Sequence, residues 1–237
     1  SYAFQSTFGI TGEALNRDIG GATAEKEQGN IWKNAYKQIR EVNYFLETLP
    51  EYEGNFSQDQ LNMWKGEAYF IRAVTYHALA KRYGGVPIVL EVLNYPEQNL
   101  EELKIPRSSE EALYDQIDKD FDEAWNLLPE TNQKGRANKY AAAAFKSRAM
   151  LFAGSIAKYN EVDKRNNGDQ DVRICGVSRA KTKEYFKKAY DATALVKGKY
   201  SLYRAGWKAD DKEAQYQNYV DMFFANESPE NIFIRQY

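Results

Sequence analysis

The sequence predicts a single, mostly α-helical domain of residues 1–237, built from helix pairs with long loops and a minor β component. Two patterns support this fold class. Apolar residues recur at steps of three and four along six segments, which is the period of one helix face. Capping residues, glycines and prolines separate these segments, so neighbouring helices can fold back on each other as antiparallel pairs.

The first predicted helix covers residues 26–49. One apolar seam runs along it and ends before Pro50: Trp32, Ala35, Ile39, Val42, Leu46 and Leu49. Such a seam suits packing against one neighbouring helix. The preceding residues 1–29 are punctuated by glycines and are predicted to form a loop with at most a short helix.

The second predicted helix begins after a capping box of Ser57 and Gln60 and ends at Gly84, with Pro87 preventing its resumption. Its apolar residues form three stripes, so we expect packing on several sides. Four of its residues are expected to be buried: Tyr69, Ile71, Val74 and Leu79. Replacing Ile71 with alanine is then expected to cost about 2–5 kcal/mol.

A second capping box, Ser108 with Glu111, is predicted to open a helix that reaches Leu128. The next helix is rich in small residues, which let backbones come close, so we expect it to be the innermost of its pair. The later elements follow from the same patterns: helices over residues 138–159, 179–197 and 217–225, and a strand over residues 232–234. Because the loops differ in length, no regular repeat of about 34 residues is visible.

The residue inventory predicts binding rather than catalysis. His77 is the only histidine and lies on an apolar stripe, where a hydrogen-bonded core or groove histidine is expected. No G-x-S-x-G motif occurs, and Gly84-Gly85 follow a helix rather than a strand, unlike a phosphate-binding loop. Cys175 is the only cysteine, so an intrachain disulfide and a cysteine-based metal site are excluded. We therefore predict no enzyme activity, no cofactor and no metal.

Charge and composition narrow the class of ligand. The net charge is −2 and no basic stripe is present, so nucleic acid is not expected as a partner. Aromatic residues make up 14% of the chain, with 18 tyrosines. Tyrosine suits stacking on flat or sugar-like ligands, and it also fills helix interfaces with its hydroxyl group at the edge.

A series of short motifs follows the predicted helices in order. They are Trp32, Tyr36, Ile39 and Asn43; Gly66-Glu67-Ala68; Phe70-Ile71-Arg72-Ala73; Tyr83-Gly84-Gly85-Val86-Pro87-Ile88; Pro106-Arg107-Ser108; Tyr114, Ile117 and Asp120; Leu128-Pro129; Gly135-Arg136-Ala137; and Ala141-Ala142. A weaker match follows at residues 226–237. In these motifs the chain resembles the SusD/RagB family, which comprises cell-surface glycan- or nutrient-binding lipoproteins of Bacteroidetes.

The resemblance implies divergent tetratricopeptide-like helix pairs and a chain that is the N-terminal and central part of a longer protein. It implies a surface-exposed lipoprotein of the cell outer membrane, held only by a lipid anchor on an N-terminal cysteine that this chain lacks. It also implies capture of an oligosaccharide, or of a peptide as in RagB-type relatives, and delivery to a SusC-like TonB-dependent transporter. An intracellular tetratricopeptide-type adaptor that holds peptides in a groove remains the alternative.

Candidate ligand contacts lie outside the helical stripes. Trp207 and Tyr203 are the candidate aromatic platforms, because the flat C–H faces of sugar rings pack on aromatic rings. Asn16, Arg17 and Asp18 are the polar candidates, with ordinary turn chemistry as their alternative interpretation. For Trp207 the alternative is a core position beside the last short helix. The other tryptophans lie in predicted helices and are expected in the core: Trp32, Trp64 and Trp125.

Overall fold

A computed structural model describes residues 31–94, 97–160, 174–225 and 228–234. These ranges contain six α-helices: α1 (Trp32–Thr48), α2 (Gln58–Tyr83), α3 (Glu110–Leu127), α4 (Lys139–Tyr159), α5 (Thr182–Val196) and α6 (Lys212–Phe224). Two 3₁₀ segments, Leu49–Asn55 and Arg179–Lys181, follow α1 and precede α5. The predicted all-α class is confirmed, and the described ranges contain no strand.

The helices pack in chain order, as the helix-pair prediction requires. α1 lies against α2, α2 against α3, α3 against α4, and α4 against α5. The core between them is formed by large apolar and aromatic side chains: Ile39, Phe70, Tyr76, Leu79, Leu113, Ile117, Phe121, Met150 and Tyr185. α6 differs from the other described helices, because none of them packs extensively on it.

Small residues bring α4 close to its neighbours, as predicted. Ala149 and Ala153 are fully buried. A Cβ atom added at Gly154 would lie 2.6 Å from the ring of Phe186 on α5. The α4–α5 interface therefore depends on the absence of a side chain at this position.

The two predicted capping boxes had different outcomes. Ser57 and Gln60 cap α2 reciprocally, which confirms the first. The second was wrong by one residue, because Ser109, and not Ser108, accepts the hydrogen bond from the Ala112 backbone N–H at 3.0 Å. The Ser108 hydroxyl instead donates to the carbonyl of Val86 at 2.7 Å. The Ser108 side chain, which the local pattern assigned to the cap, therefore makes a tertiary contact with the segment after α2 instead.

Several predicted boundaries also moved. The predicted start of the first helix lies outside the described residues, and α6 begins at Lys212 rather than at residue 217, with the Asp211 side chain as its cap. The predicted strand over residues 232–234 was wrong, since Ile232 and Phe233 form a bend and Ile234 has no regular secondary structure. No strand lies beside them in the described ranges, and Phe233 packs against the rings of Phe70 and Phe145 instead.

The prediction that Ile71 is buried was wrong. Its side chain is 37% exposed, while Leu79 is fully buried and Tyr69 and Val74 are half-buried. Because α2 is apolar nearly all round, the period of its sequence could not tell which stripe faces the core. The tryptophans of the helices likewise proved half-buried rather than core residues: Trp32, Trp64 and Trp125.

Candidate functional site

The loop between α5 and α6 carries the most exposed aromatic candidate of the sequence analysis. Trp207 is 41% exposed, so its alternative position in the core is not what the structure shows. The guanidinium carbon of Arg204 lies 4.9 Å from the centre of the Trp207 ring system. Tyr203 is half-buried on the same loop. The loop therefore holds the two aromatic candidates a few residues apart, with a cation stacked on one of them.

Side chains of α6 fix this loop in place. Asn218, which is buried, donates a hydrogen bond to the Tyr203 carbonyl at 3.0 Å and accepts one from the Gly206 backbone N–H at 3.2 Å. Gln215 donates to the carbonyl of Lys208 at 2.9 Å. Each bond satisfies a backbone group that would otherwise need water, so the loop is pre-organised around Trp207.

A second anchor of the loop comes from the C-terminal segment. The Glu230 carboxylate accepts a hydrogen bond from the Tyr203 backbone N–H at 2.7 Å.

The three polar candidates Asn16, Arg17 and Asp18 lie outside the described residues.

An exposed aromatic stripe on α6 was missed by sequence reasoning. Tyr216, Tyr219 and Phe223 are 62%, 61% and 67% exposed and follow each other at steps of three and four. The rings of Tyr219 and Phe223 are 5.1 Å apart. The spacing was present in the sequence, but the predicted start of the helix at residue 217 left Tyr216 in a loop and hid the stripe.

A hollow of about 650 Å³ lies between α1, the 3₁₀ segment after it and α2. Trp64 lines it and meets Phe56 edge-on, with ring centres 4.8 Å apart. One wall ends in an ion pair between Glu67 and Arg136, and the Nε–Oε1 distance of this pair is 2.7 Å. We call this hollow the α1–α2 groove. Sequence reasoning missed it because it assigned Trp64 to the core.

A buried polar relay joins three helices beside this groove. On α2, Arg72 donates through Nε and Nη2 to the two carboxylate oxygens of Asp120 on α3, both at 2.8 Å. Its Nη1 donates to Oδ1 of Asn43 on α1 at 2.9 Å. Burial alone would lower the pKa of Arg72, but the hydrogen bonds and charge of Asp120 outweigh it and raise the pKa. Arg72 therefore stays charged inside the protein.

The relay ends on the extended segment that follows α2. Oriented by Arg72, the Asn43 amide donates to the carbonyls of Val89 at 3.0 Å and Glu91 at 3.2 Å. Tyr36 donates to the carbonyl of Pro87 at 2.7 Å. Side chains of α1 thus hydrogen-bond to the backbone of this extended segment, as a neighbouring strand would. Several motif residues of the sequence analysis have this structural role.

No catalytic constellation is evident in the part of the chain that is described. His77 is buried as predicted, but neither ring nitrogen has a hydrogen-bond partner among the described residues, so the expectation of a hydrogen-bonded histidine was wrong there. Burial, followed by the positive charges of Lys81 and Arg148, lowers the pKa of His77 to about 4. A buried, neutral imidazole without a partner cannot take part in proton transfer with a ligand at the surface.

Among the described residues, no cluster of three or more His, Cys, Asp or Glu side chains could hold a metal ion. None of the described helices combines the length and the apolar character needed to cross a membrane.

The fold defines an all-α protein of stacked helix pairs, with a loop fixed by hydrogen bonds and exposed aromatic residues. The chain belongs to the SusD-like family, described as "starch-binding associating with outer membrane", whose family profile matches residues 11–151. Members of this family are binding proteins associated with the outer membrane.

Individual relatives agree with this assignment. SusD-like protein P38 of Formosa agariphila is 27% identical over 130 residues, which cover 54% of this chain and 24% of the relative. A SusD-like protein of Bacteroides fragilis has a solved structure with a TM-score of 0.65 and 28% identity, covering 91% of this chain and 35% of that one. A crystal structure with a xylogluco-oligosaccharide shares the fold at a TM-score of 0.53 and 18% identity, covering 74% and 30%. This chain thus spans about a quarter to a third of the length of these relatives.

Proposed function

We propose that the protein captures an oligosaccharide at the cell surface and delivers it to a TonB-dependent outer-membrane transporter of the SusC type. The observation that carries this proposal is the family match over residues 11–151, because the family is starch-binding and associated with the outer membrane. The fold that this chain shares with a protein crystallised with a xylogluco-oligosaccharide is consistent with it. In this proposal the protein is a surface-exposed lipoprotein and has no catalytic activity.

We further propose that loops, rather than helix faces, make the sugar contacts. Trp207 and Tyr203 are the proposed platforms, and Asn16, Arg17 and Asp18 are the proposed polar contacts. A sugar ring presents flat C–H faces, which pack on aromatic rings, and hydroxyl groups, which need fixed donors and acceptors. The exposed indole of Trp207 and the hydrogen bonds that hold its loop support this assignment, since a fixed platform loses little entropy on binding.

A glycan array followed by calorimetric titration tests the proposed site. We expect the Trp207→Ala variant to bind the best glycan at least about tenfold more weakly, which corresponds to ~1.4 kcal/mol. Tyr190→Ala is the matched control, because Tyr190 is a 75% exposed aromatic residue on α5. Unchanged binding by folded Trp207→Ala removes this residue from the site. Absence of any glycan ligand, with binding to a parallel peptide array, moves the ligand class to peptide.

Delivery and location need separate experiments. We expect the protein to be accessible to antibody on intact cells and to co-purify with a TonB-dependent transporter from membranes in mild detergent. Recovery free of any transporter contradicts the delivery step but leaves glycan capture intact. Protection from antibody on intact cells contradicts the surface location and favours the intracellular adaptor.

A further inference from the structure

The loop between α5 and α6 carries basic side chains that no carboxylate balances. Residues 197–209 contain four basic residues and no acidic one. Lys199 lies 3.8 Å from Glu130. The side chains of Arg204 and Lys208 are exposed and form no ion pair with the residues that the structure describes. This part of the surface therefore carries positive charge that is free to meet an anion.

The carboxylates that contact this loop hold backbone groups instead of neutralising Arg204. Glu230 accepts a hydrogen bond from the backbone N–H of Tyr203 at 2.7 Å, one residue before Arg204. Asp211 caps α6 by accepting a hydrogen bond from its first turn at 3.0 Å. No described residue accepts a hydrogen bond from the Arg204 guanidinium, so its N–H donors are available to a ligand.

The ring of Trp207 positions this free guanidinium group. The guanidinium carbon of Arg204 lies 4.9 Å from the centre of the ring system, which is the distance of a cation–π contact. Trp207 remains 41% exposed with the cation in place, so Arg204 covers only part of it. An open aromatic surface and an unpaired cation therefore lie together on a loop that Asn218 holds fixed.

These two groups suit a sugar that carries a negative charge. The C–H face of the sugar ring packs on the open part of the indole. An acidic substituent of the same sugar offers two oxygen atoms, which a guanidinium binds through two parallel, charge-assisted hydrogen bonds. A neutral sugar offers only hydroxyl groups, whose hydrogen bonds are weaker and leave the charge of Arg204 unbalanced.

We propose that the oligosaccharide captured at this loop is acidic and that Arg204 recognises its negative charge. The charged group is the carboxylate of a uronic acid or a sulfate ester, because both present paired oxygen atoms to the guanidinium. This inference rests on the proposed glycan capture at Trp207 and specifies the class of its substrate. The net charge of the chain is −2, so its overall field does not attract anions and the preference arises locally.

Calorimetric titration of the full chain with two matched pairs of probes tests the inference. The first pair is tetragalacturonate and its methyl ester, which is the same sugar without the negative charges. The second pair is a sulfated galactan tetrasaccharide and its desulfated form. We expect an acidic probe to bind at least about tenfold more tightly than its neutral counterpart. The pair that shows this preference identifies the charged group, and added salt should weaken the preference by screening.

Three variants separate the role of the cation from that of the aromatic ring. Arg204→Gln should bind both members of the pair equally, with the neutral probe bound as tightly as by the parent. Arg204→Lys should keep only part of the preference, because an ammonium group lacks the planar pair of donors. Trp207→Ala should weaken the binding of both probes, since it removes the surface on which the sugar ring packs.

Lys158→Gln is the matched control for the loss of a positive charge. The Nζ atom of Lys158 lies 4.9 Å from the centre of the Tyr159 ring at the end of α4, and both residues are exposed. This variant thus removes a similar cation–π contact from another surface and should keep the full preference for the acidic probe. Circular dichroism and thermal melting establish that each variant is folded.

Several results would overturn the inference. Binding of the acidic probes that is no tighter than that of the neutral ones, or a preference that persists in folded Arg204→Gln, removes Arg204 as the recognition residue. Failure of all four probes to bind overturns it too; if the array still finds a neutral glycan that needs Trp207, glycan capture stands. A blocked tetraglutamate peptide that binds as tightly as tetragalacturonate assigns the loop to acidic peptides. Absence of any glycan ligand contradicts glycan capture itself, and this inference with it.

Discussion

Replacing Asp120 with asparagine should destabilise the protein far more than its small change in shape suggests. Asp120 is 1% exposed and accepts two hydrogen bonds from Arg72, which is itself 5% exposed. Gln116 donates a third hydrogen bond to the same carboxylate at 2.9 Å. Asparagine keeps one acceptor oxygen but turns an NH₂ group towards the donors of Arg72. The guanidinium group is then buried without a counter-charge.

The expected loss is about 3–5 kcal/mol of unfolding free energy, the usual result of removing one partner of a buried ion pair. The loss extends beyond the pair, because Arg72 also orients Asn43, which holds the segment after α2. The double variant Arg72→Met/Asp120→Leu should lose less than Asp120→Asn alone, since it removes both buried charges together. The destabilisation is thus attributed to the unpaired charge rather than to lost contacts.

Urea unfolding followed by circular dichroism measures this loss as a shift of the midpoint at constant slope. Glu123→Gln is the matched control, because it makes the same acid-to-amide change at an exposed position of α3 and should stay within about 0.5 kcal/mol of the parent. A loss below about 1 kcal/mol in Asp120→Asn would refute the reasoning. It would mean that Arg72 reaches water or another acceptor.

Three further predictions concern burial, ionisation and a glycine. Ile71→Ala should cost less than about 1 kcal/mol and Leu79→Ala about 2–5 kcal/mol in the same urea assay, since only Leu79 is in the core; equal losses would contradict the burial seen here. For His77, the pKa is about 4 in the folded protein against 6.5 unfolded, so only the unfolded chain binds the proton between these values. The free energy of unfolding should therefore fall by up to ~3 kcal/mol as the pH drops from 6.5 to 4. In the His77→Phe variant this contribution to the pH dependence should be absent. Gly85→Ala should lower the free energy of unfolding by several kcal/mol, on the order of the larger overpacking losses, because the new Cβ would lie 2.0 Å from a backbone oxygen. Thermal melting measures this loss, and Gly54→Ala, at a position with open space around it, is the control.

The family motifs found in the sequence acquire a physical explanation in the structure. Asn43, Arg72 and Asp120 come from three helices and form one buried hydrogen-bonded relay. Arg107 donates to the carbonyl of Gly85 at 2.8 Å and so holds the turn after α2. No spacing rule relates these residues, since they are far apart in the chain. The resemblance could therefore identify them as a set, but only the structure shows that they hold the backbone of the segment after α2.

The candidate site was predictable in part. Trp207 and Tyr203 stand outside every helical stripe, and the structure does place them on one fixed loop. Asn218, which holds that loop, gave no signal, because an asparagine in a polar helix has no distinguishing pattern. The groove residues were misassigned for a related reason. Trp64 and Ile71 have the spacing of core residues, and spacing does not reveal whether a neighbouring helix is present to cover them.

The sequence by itself determined the helical class, the order of the helices and the first capping box, because periodicity, caps and turns are set by residues close together in the chain. Only the tertiary structure decided which stripe of α2 is covered, that Ser108 binds Val86 and leaves the cap to Ser109, and that residues 232–234 form no strand. These outcomes depend on which elements lie side by side. Burial and hydrogen-bond partners are properties of neighbours in space, and the local pattern of a sequence does not contain them.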